Sequence, residues 1–371
     1  MDHRFCVPCL FGLEGLAADE LRRLNMEQVS AENGRVYFSG DDAAAARANL
    51  CLRTGERVLL ELGSFEALSF EELFEKTKAL PWERWIPKDA AFPATGHSLN
   101  SKLFSVSDCQ KIIKKAVVER LKSRYHLSWF DESAETVQIR FSIMKDQVSL
   151  CLDTSGEGLH KRGYRPAHNA APLRETLAAA MVTLSRYRGR DDFADPFCGS
   201  GTIPIEAALI ARNIAPGRDR HFAAMEWRTL DSGIWRAERE AAREREFRGE
   251  YRIFGSDLDP KAVAMAKANA ERAGVADLIR FETADAERFD RKTQRGVIVT
   301  NPPYGERIGE KQEAEELYRR FGVTWRGLEN WQLYLLSSHT EFERCFGREA
   351  DKKRKLYNGM IKCDLFMYFH K

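Results

Sequence analysis

The chain has 371 residues, of which 43% are hydrophobic and 31% charged, and its formal net charge is +2. This length accommodates two domains with separate cores, and the composition fits an ordinary soluble protein. A net charge this small excludes arguing a nucleic-acid partner from the total, so such a partner has to be read from local clustering of cations.

There is no run of about twenty apolar residues, and Asp2, His3 and Arg4 precede only a short apolar patch at the N-terminus. These features predict no membrane span, no signal peptide and a cytoplasmic protein. Cysteines stand at 6, 9, 51, 109, 151, 198, 345 and 363; only Cys6 and Cys9 are close, and no second pair or histidine cluster completes a zinc site. Reduced, mostly buried thiols and no metal are expected.

Residues 1–60 read as a small ferredoxin-like α/β unit. Strand Phe5–Leu10 is followed by a helix from Glu14 to Leu24, strand Arg35–Phe38 after an Asn33-Gly34 turn, and an Ala-rich helix from Asp41 to Leu50. Strand Val58–Leu62 follows. From Ser69 to Leu80 the spacing predicts an acidic amphipathic helix with Phe70, Leu73, Phe74 and Leu80 toward a core, and Ala91–Ser98 reads as a strand.

Ser107-Asp108-Cys109-Gln110 has a capping-box pattern and opens a helix carrying Ile113, Val117 and Leu121. Between Ser101 and Tyr125 stand Lys102, Lys111, Lys114, Lys115, Arg120, Lys122 and Arg124, against only Asp108 and Glu119. Such a run is either a solvated helix face or a surface that tracks phosphates. Alternating strands Val137–Ile143 and Gln147–Asp153, joined by a Lys145-Asp146 turn, place the helix on a sheet. The segment 61–155 resembles a THUMP domain, an RNA-binding module of RNA-modifying enzymes, and the resemblance makes Lys102, Lys111, Lys114 and Lys115 candidate RNA contacts.

Asp153 to Arg165 runs Asp-Thr-Ser-Gly-Glu-Gly-Leu-His-Lys-Arg-Gly-Tyr-Arg. It resembles the junction of bacterial ribosomal RNA guanine-N2 methyltransferases that carry a THUMP domain. Residues 156–171 read as a basic, Gly-rich linker, either lying against RNA through Arg162 and Arg165 or acting as a polar hinge.

The remainder, 172–371, alternates strands and helices. Pro172 is expected to open a helix bearing Leu177, Met181 and Leu184. Phe193-Ala194-Asp195 leads into Pro-Phe-Cys-Gly-Ser-Gly-Thr, where Gly199 and Gly201 allow close backbone approach and the helix from Thr202 to Arg212 offers its N-terminal N–H groups to an anion. The segment Trp235–Arg248 alternates signs and reads as a solvated helix. Strand Tyr251–Asp257 ends in an acid suited to ribose hydroxyls, and Asp259-Pro260 caps a helix that stops at Gly274. Strand Leu278–Phe281 leads to Asp285, strand Trp331–Ser337 and helix Phe342–Phe346 follow, and Lys355–Cys363 reads as a hairpin with an Asn-Gly turn. Lys352-Lys353-Arg354-Lys355 adds either a solvated cluster or part of an RNA-facing surface.

The most informative stretch is Val297 to Gly305. A β-branched run that stops at Asn301-Pro302-Pro303 is a buried strand ending abruptly, because each proline lacks an N–H and restricts the residue before it. The stiff loop carries an amide, a backbone carbonyl and an aromatic ring. Asn301 Oδ1 and the Pro302 carbonyl can accept both N–H bonds of a planar amine while the Tyr304 ring covers its face.

Together, residues 195–202 and 301–307 resemble the class I S-adenosylmethionine-dependent methyltransferases that modify amino groups. With the THUMP-like half, nearly the whole chain is similar to the THUMP-containing RNA guanine-N2 methyltransferases. The resemblance implies an α/β fold: an N-terminal α+β RNA-binding region and a C-terminal Rossmann-like sheet (172–371) closed by an antiparallel hairpin. It implies S-adenosylmethionine bound by Asp195, Phe197, Gly199, Gly201, Thr202, Asp257, Asp285 and Asn301, with Asp195 near the ammonium and Asp285 on the adenine amine. Asn301, Pro302 and Tyr304 would then present the N2 amine of a guanosine in 23S ribosomal RNA, with the protein acting as a monomer. Adenine-N6 methylation of DNA or RNA and protein glutamine methylation share the tetrapeptide, and an RNA-binding assembly factor with a vestigial cofactor site is the non-enzymatic alternative.

Overall fold

The computed structural model describes residues 3–165, 173–305 and 308–369. Pro172, residues 166–171 of the expected linker, and Glu306 and Arg307 lie outside them. The chain folds as two units, one holding residues 3–9, 18–159 and 220–241 and the other 10–17, 160–219 and 242–369 of those described.

In the first unit the elements run β1 (His3–Pro8), α1 (Glu14–Arg23, which belongs to this unit from Ala18 onward), β2 (Glu27–Glu32), β3 (Arg35–Gly40), α2 (Asp42–Cys51), β4 (Leu59–Glu66), α3 (Phe70–Lys78), β5 (Ala94–Leu99), α4 (Val106–Tyr125), β6 (Ile139–Met144) and β7 (Gln147–Asp153). They build one seven-stranded sheet in the order β2-β3-β1-β4-β7-β6-β5, antiparallel except for the β5–β6 pair. β4 pairs with both β1 and β7, so the sheet runs unbroken past residue 60. Strand β2 has no counterpart among the sequence-based expectations, because it is an exposed edge strand with no apolar alternation. Lys145 and Asp146 do form the β6–β7 turn, both at positive φ.

Three elements differ from expectation. Helix α4 begins at Val106, and Ser105 Oγ donates to Asp108 Oδ2 at 2.6 Å in place of a Ser107 capping box. Phe70 is 39% exposed and leaves Leu73 as the buried apolar anchor of α3. The sign-alternating segment forms α7 (Gly233–Glu244), which is amphipathic rather than wholly solvated. Trp235 is buried and stacks on Phe222 at 5.3 Å, and Arg47 makes a two-point bond to Glu238 at 2.9 and 2.6 Å.

The second unit contains α5 (Glu175–Leu184), β8 (Asp192–Asp195), α6 (Thr202–Ala211), β9 (Ile253–Asp257), α8 (Pro260–Arg272), β10 (Ile279–Thr283), β11 (Gly296–Thr300), α9 (Ile308–Arg326), β12 (Trp331–Ser337), α10 (Phe342–Phe346), β13 (Lys352–Asn358) and β14 (Ile361–Tyr368). Its sheet order is β10-β9-β8-β11-β12-β14-β13. The first five strands are parallel and β14 runs antiparallel to both of its neighbours, as expected of a doubly wound sheet closed by a hairpin. One core lies between the sheet and α5, α6 and α8; a second holds α9 and α10 against the other face. The buried face of α9 is Ala314, Tyr318, Phe321 and Trp325, spaced four, three and four apart. That helical period is present in the sequence, although no helix was expected there.

The eight cysteines are free, seven of them buried. Among the described residues no helix is long and apolar enough to cross a membrane, and no group of three or more His, Cys, Asp or Glu is placed to hold a metal ion.

Candidate active site

Parallel strands bring their carboxyl ends to one edge of the sheet, where the loops after β8, β9, β10 and β11 line a cleft of about 970 Å³. Asp195 closes β8 and is fully buried. Its Oδ1 accepts from Thr300 Oγ1 at the end of β11 (2.6 Å) and from the Phe197 N–H (3.1 Å). Burial pushes the Asp195 carboxyl up to about 7; those two bonds act in the opposite sense, and the Asp257 carboxylate adds to the rise.

Asp257 closes β9. Its Oδ2 accepts the Gly199 N–H at 2.9 Å and its Oδ1 the Asp259 N–H at 3.0 Å, which ties the glycine turn to the neighbouring strand. The two glycines of that turn do different work. Gly199 has φ +49° and open space where a Cβ would stand, on the cleft wall. At Gly201, with φ +82°, a Cβ would come within 2.9 Å of Ala266 Cβ, so its missing side chain lets α6 pack on α8. Thr202 is buried beside it and, like Gly201, is not on the cleft wall.

Asp285, after β10, accepts the Glu287 N–H at 2.9 Å and lines the cleft. Asp259 caps α8 through the Lys261 N–H at 2.9 Å, as expected of a capping residue. Asn301, Pro302 and Tyr304 also line the cleft. The Tyr304 hydroxyl donates to Asn301 Oδ1, and its ring packs on the core beneath. Burial holds the Tyr304 phenol far above its usual range. Tyr318, from α9, donates to the Pro303 carbonyl at 2.6 Å. No described residue donates to the Pro302 carbonyl. Carboxylates on one side of the cleft and a planar-amine acceptor on the other make room for a polyhydroxyl, cationic cofactor opposite a flat amine.

The cations are less uniform than their count in the sequence. Lys102, Lys111 and Lys115 are exposed. Lys114 lies 3.5 Å from the Phe92 ring centroid and 2.7 Å from Glu132, and Arg120 pairs with Glu83 at 2.7 Å. Acids outside the helix therefore neutralise part of its positive face. In the second unit, Arg162 is buried 3.3 Å from Glu206, and Arg165 lies 2.5 Å from Glu175. These two linker cations are turned to carboxylates and not to solvent.

An RMKL-like methyltransferase domain model matches residues 162–366, more than half of the chain. The chain belongs to the RMKL-like methyltransferase family. Residues 4–59 of this methyltransferase match an RlmL ferredoxin-like domain and 67–153 a THUMP domain. It is 47% identical over 363 residues to "Putative RNA methyltransferase YpsC" of Bacillus subtilis (strain 168), covering 97% of this chain and 94% of that protein. It is 34% identical to "Ribosomal RNA large subunit methyltransferase K/L" of Aeromonas salmonicida (strain A449), covering 98% of this chain and 54% of that one, so it spans about half that relative's length. Among solved structures, SMU.472 complexed with SAH superposes with a TM-score of 0.94 at 38% identity, covering all of this methyltransferase and 98% of that chain.

Proposed function

We propose that this methyltransferase transfers a methyl group from S-adenosylmethionine to the exocyclic N2 amine of a guanosine in RNA, with large-subunit ribosomal RNA as the substrate. The observation that carries the reading is the convergence on one cleft of Asp257, Asp285, the Asn301–Tyr304 loop, and Phe197 and Gly199 from the turn after Asp195, with Asp195 itself buried behind the turn. The THUMP match, and relatives named for RNA and large-subunit ribosomal RNA, support the choice of substrate. In this reading residues 1–60 are a ferredoxin-like unit, 61–155 the RNA-binding THUMP domain, 156–171 a linker and 172–371 the catalytic domain of a cytoplasmic monomer that needs no metal.

When bound, the cofactor supplies a methyl group on a sulfonium, electrophilic without further activation. Asp257 would accept the ribose hydroxyls with the lone pairs left by Gly199 and Asp259, and Asp285 would accept from the adenine amine. The turn at Gly199, where no Cβ intrudes on the cleft, would face the methionine carboxylate, and Asp195 stands behind it for the ammonium. Asn301 Oδ1 and the Pro302 carbonyl would take the two N–H bonds of the target amine, which aims its nitrogen lone pair across the cleft. Asn301 Oδ1 has a second lone pair beside the one that takes the Tyr304 hydroxyl, so it would accept from the base with that bond kept or released. Alignment supplies most of the acceleration, and the proton leaves to water once the nitrogen is cationic. A guanosine within structured RNA reaches the cleft only when extruded from its stack.

The test is to incubate the protein with methyl-labelled S-adenosylmethionine and unmodified ribosomal RNA, transfer RNA or DNA, and identify the labelled nucleoside. Label in N2-methylguanosine from ribosomal RNA is expected. Label in N6-methyladenine would overturn the choice of base, and label confined to transfer RNA the choice of RNA.

A further inference from the structure

The turn of the β13–β14 hairpin stands at the rim of the cleft. Asn358 and Ile361, the last pair of its ladder, both line the cleft, and only Gly359 and Met360 lie between them. Gly359 takes φ +63°, which lets so short a turn close. Met360 is 98% exposed, more than any other large apolar side chain among the described residues, and Ile361 beside it is 37% exposed.

A single exposed apolar side chain ordinarily needs no explanation. This one is held out on a two-residue turn, at the edge of a cleft shaped for a planar amine, between cationic strands. Residues 352–362 carry Lys352, Lys353, Arg354, Lys355 and Lys362 and no acid. Lys353 is paired with Glu343 at 2.7 Å and Arg354 donates to the Gly12 carbonyl at 2.6 Å. Lys352, Lys355 and Lys362 are exposed and have no ion pair among the described residues.

An apolar tip on cationic arms suits a nucleic-acid stack: the tip enters between bases while the cations lie along phosphates. Extruding a base leaves a gap in its stack that something has to fill. We infer that Met360 is a wedge that occupies the position vacated in the RNA stack when the target nucleoside swings into the cleft, with Lys355 and Lys362 on the flanking phosphates. The inference rests on the RNA-methyltransferase reading and adds the surface that enforces extrusion. Because Met360 touches so little of the rest of the protein, its replacement leaves the fold and the cofactor cleft intact.

Two measurements on the full chain test it, with native ribosomal RNA from cells lacking the modification as the probe. Met360→Ala should lower kcat/KM for methylation by about tenfold, since fewer encounters leave the base extruded, with S-adenosylmethionine affinity unchanged. With p-benzoylphenylalanine at position 360, photocrosslinks should map to nucleotides next to the methylated one or to its pairing partner. Full activity of Met360→Ala, or crosslinks remote from the methylated nucleotide, would overturn the wedge while leaving the RNA reading in place. A wild-type protein that binds the cofactor yet labels no RNA would overturn both.

Discussion

The Tyr304 hydroxyl donates its proton to Asn301 Oδ1, the acceptor that a target amine would need. The two ends of the Asn-Pro-Pro-Tyr loop thus satisfy each other, and a partly buried acceptor is kept from standing unpaired before the base arrives. The relationship assigns separate jobs to the ring and the hydroxyl of Tyr304. Tyr304→Phe should keep turnover within a few-fold of wild type, because the ring remains, whereas Asn301→Ala should lose about 10²–10³-fold in kcat with cofactor and RNA affinity retained. Label transfer under saturating substrate measures both; equal losses in the two variants would make the hydroxyl itself part of the chemistry.

Tyr318 fixes the other side of the same loop through its 2.6 Å bond to the Pro303 carbonyl. Its own oxygen lies 3.3 Å from Ser337 Oγ, so Ser337, Tyr318 and Pro303 form a short chain of hydrogen bonds. Tyr318→Phe removes that bond and should cost about 0.5–1.5 kcal/mol in thermal or denaturant unfolding, since Pro303 is exposed and water can replace the hydroxyl. With the Pro302 carbonyl less firmly aimed, kcat should fall while the KM for RNA holds. An unchanged kcat in a destabilised variant would confine Tyr318 to folding.

Burial raises the Asp195 carboxyl from an ordinary 3.8 to about 7, so the folded protein keeps a proton that the unfolded chain gives up. The contribution of Asp195 to stability is therefore most favourable below about 4 and is lost as pH climbs to about 7. Comparing the unfolding free energy of wild type and Asp195→Asn across that window isolates the effect, and the difference between them should change with pH and level off above it. A difference that does not vary with pH would mean Asp195 is ionised throughout. If the cofactor ammonium lies near Asp195, its affinity should rise over the same window.

Arg162 and Glu206 lie with side chains 2% and 0% exposed, 3.3 Å apart. Removing one partner of a buried pair leaves the other charge poorly compensated, so Glu206→Ala should destabilise by about 3–5 kcal/mol. A thermal shift near zero would place Arg162 in solvent and restore it as a candidate RNA ligand.

Lys111 and Lys115 are the cations that α4 leaves exposed at its first turns. Changing both to Gln should weaken RNA binding and reduce the slope of log affinity against log salt by about 2, one for each phosphate no longer neutralised. Lys114 has its partners in Phe92 and Glu132, and its replacement should act on stability more than on the salt slope.

How far the chain could be read without coordinates depended on whether the signal was local. The abrupt stop of β11 at two prolines, the glycine turn after Asp195 and the proline-capped start of α8 are written into consecutive residues, because backbone conformation there follows from residue type. The alternating and helical periods likewise pointed to the doubly wound sheet and its closing hairpin. By contrast, α9 went unread despite a clear period, and β2 had none to find.

Interactions between distant residues were decided by tertiary structure alone. Seven cations against two acids made one face of α4 look uniformly positive, yet Glu83 and Glu132, outside that count, take Arg120 and Lys114. Arg162 and Arg165 read as linker cations until α6 and α5 brought Glu206 and Glu175 to them. By residue type Gly199 and Gly201 have the same freedom; packing spends one at the cleft and the other against Ala266. What sequence by itself determined was the set of groups at each strand end, because strand, proline and glycine chemistry act over a few residues. Which groups remain free to meet a ligand was decided by the fold, because a charge or hydroxyl is used up by whatever folding places within about 3–4 Å of it.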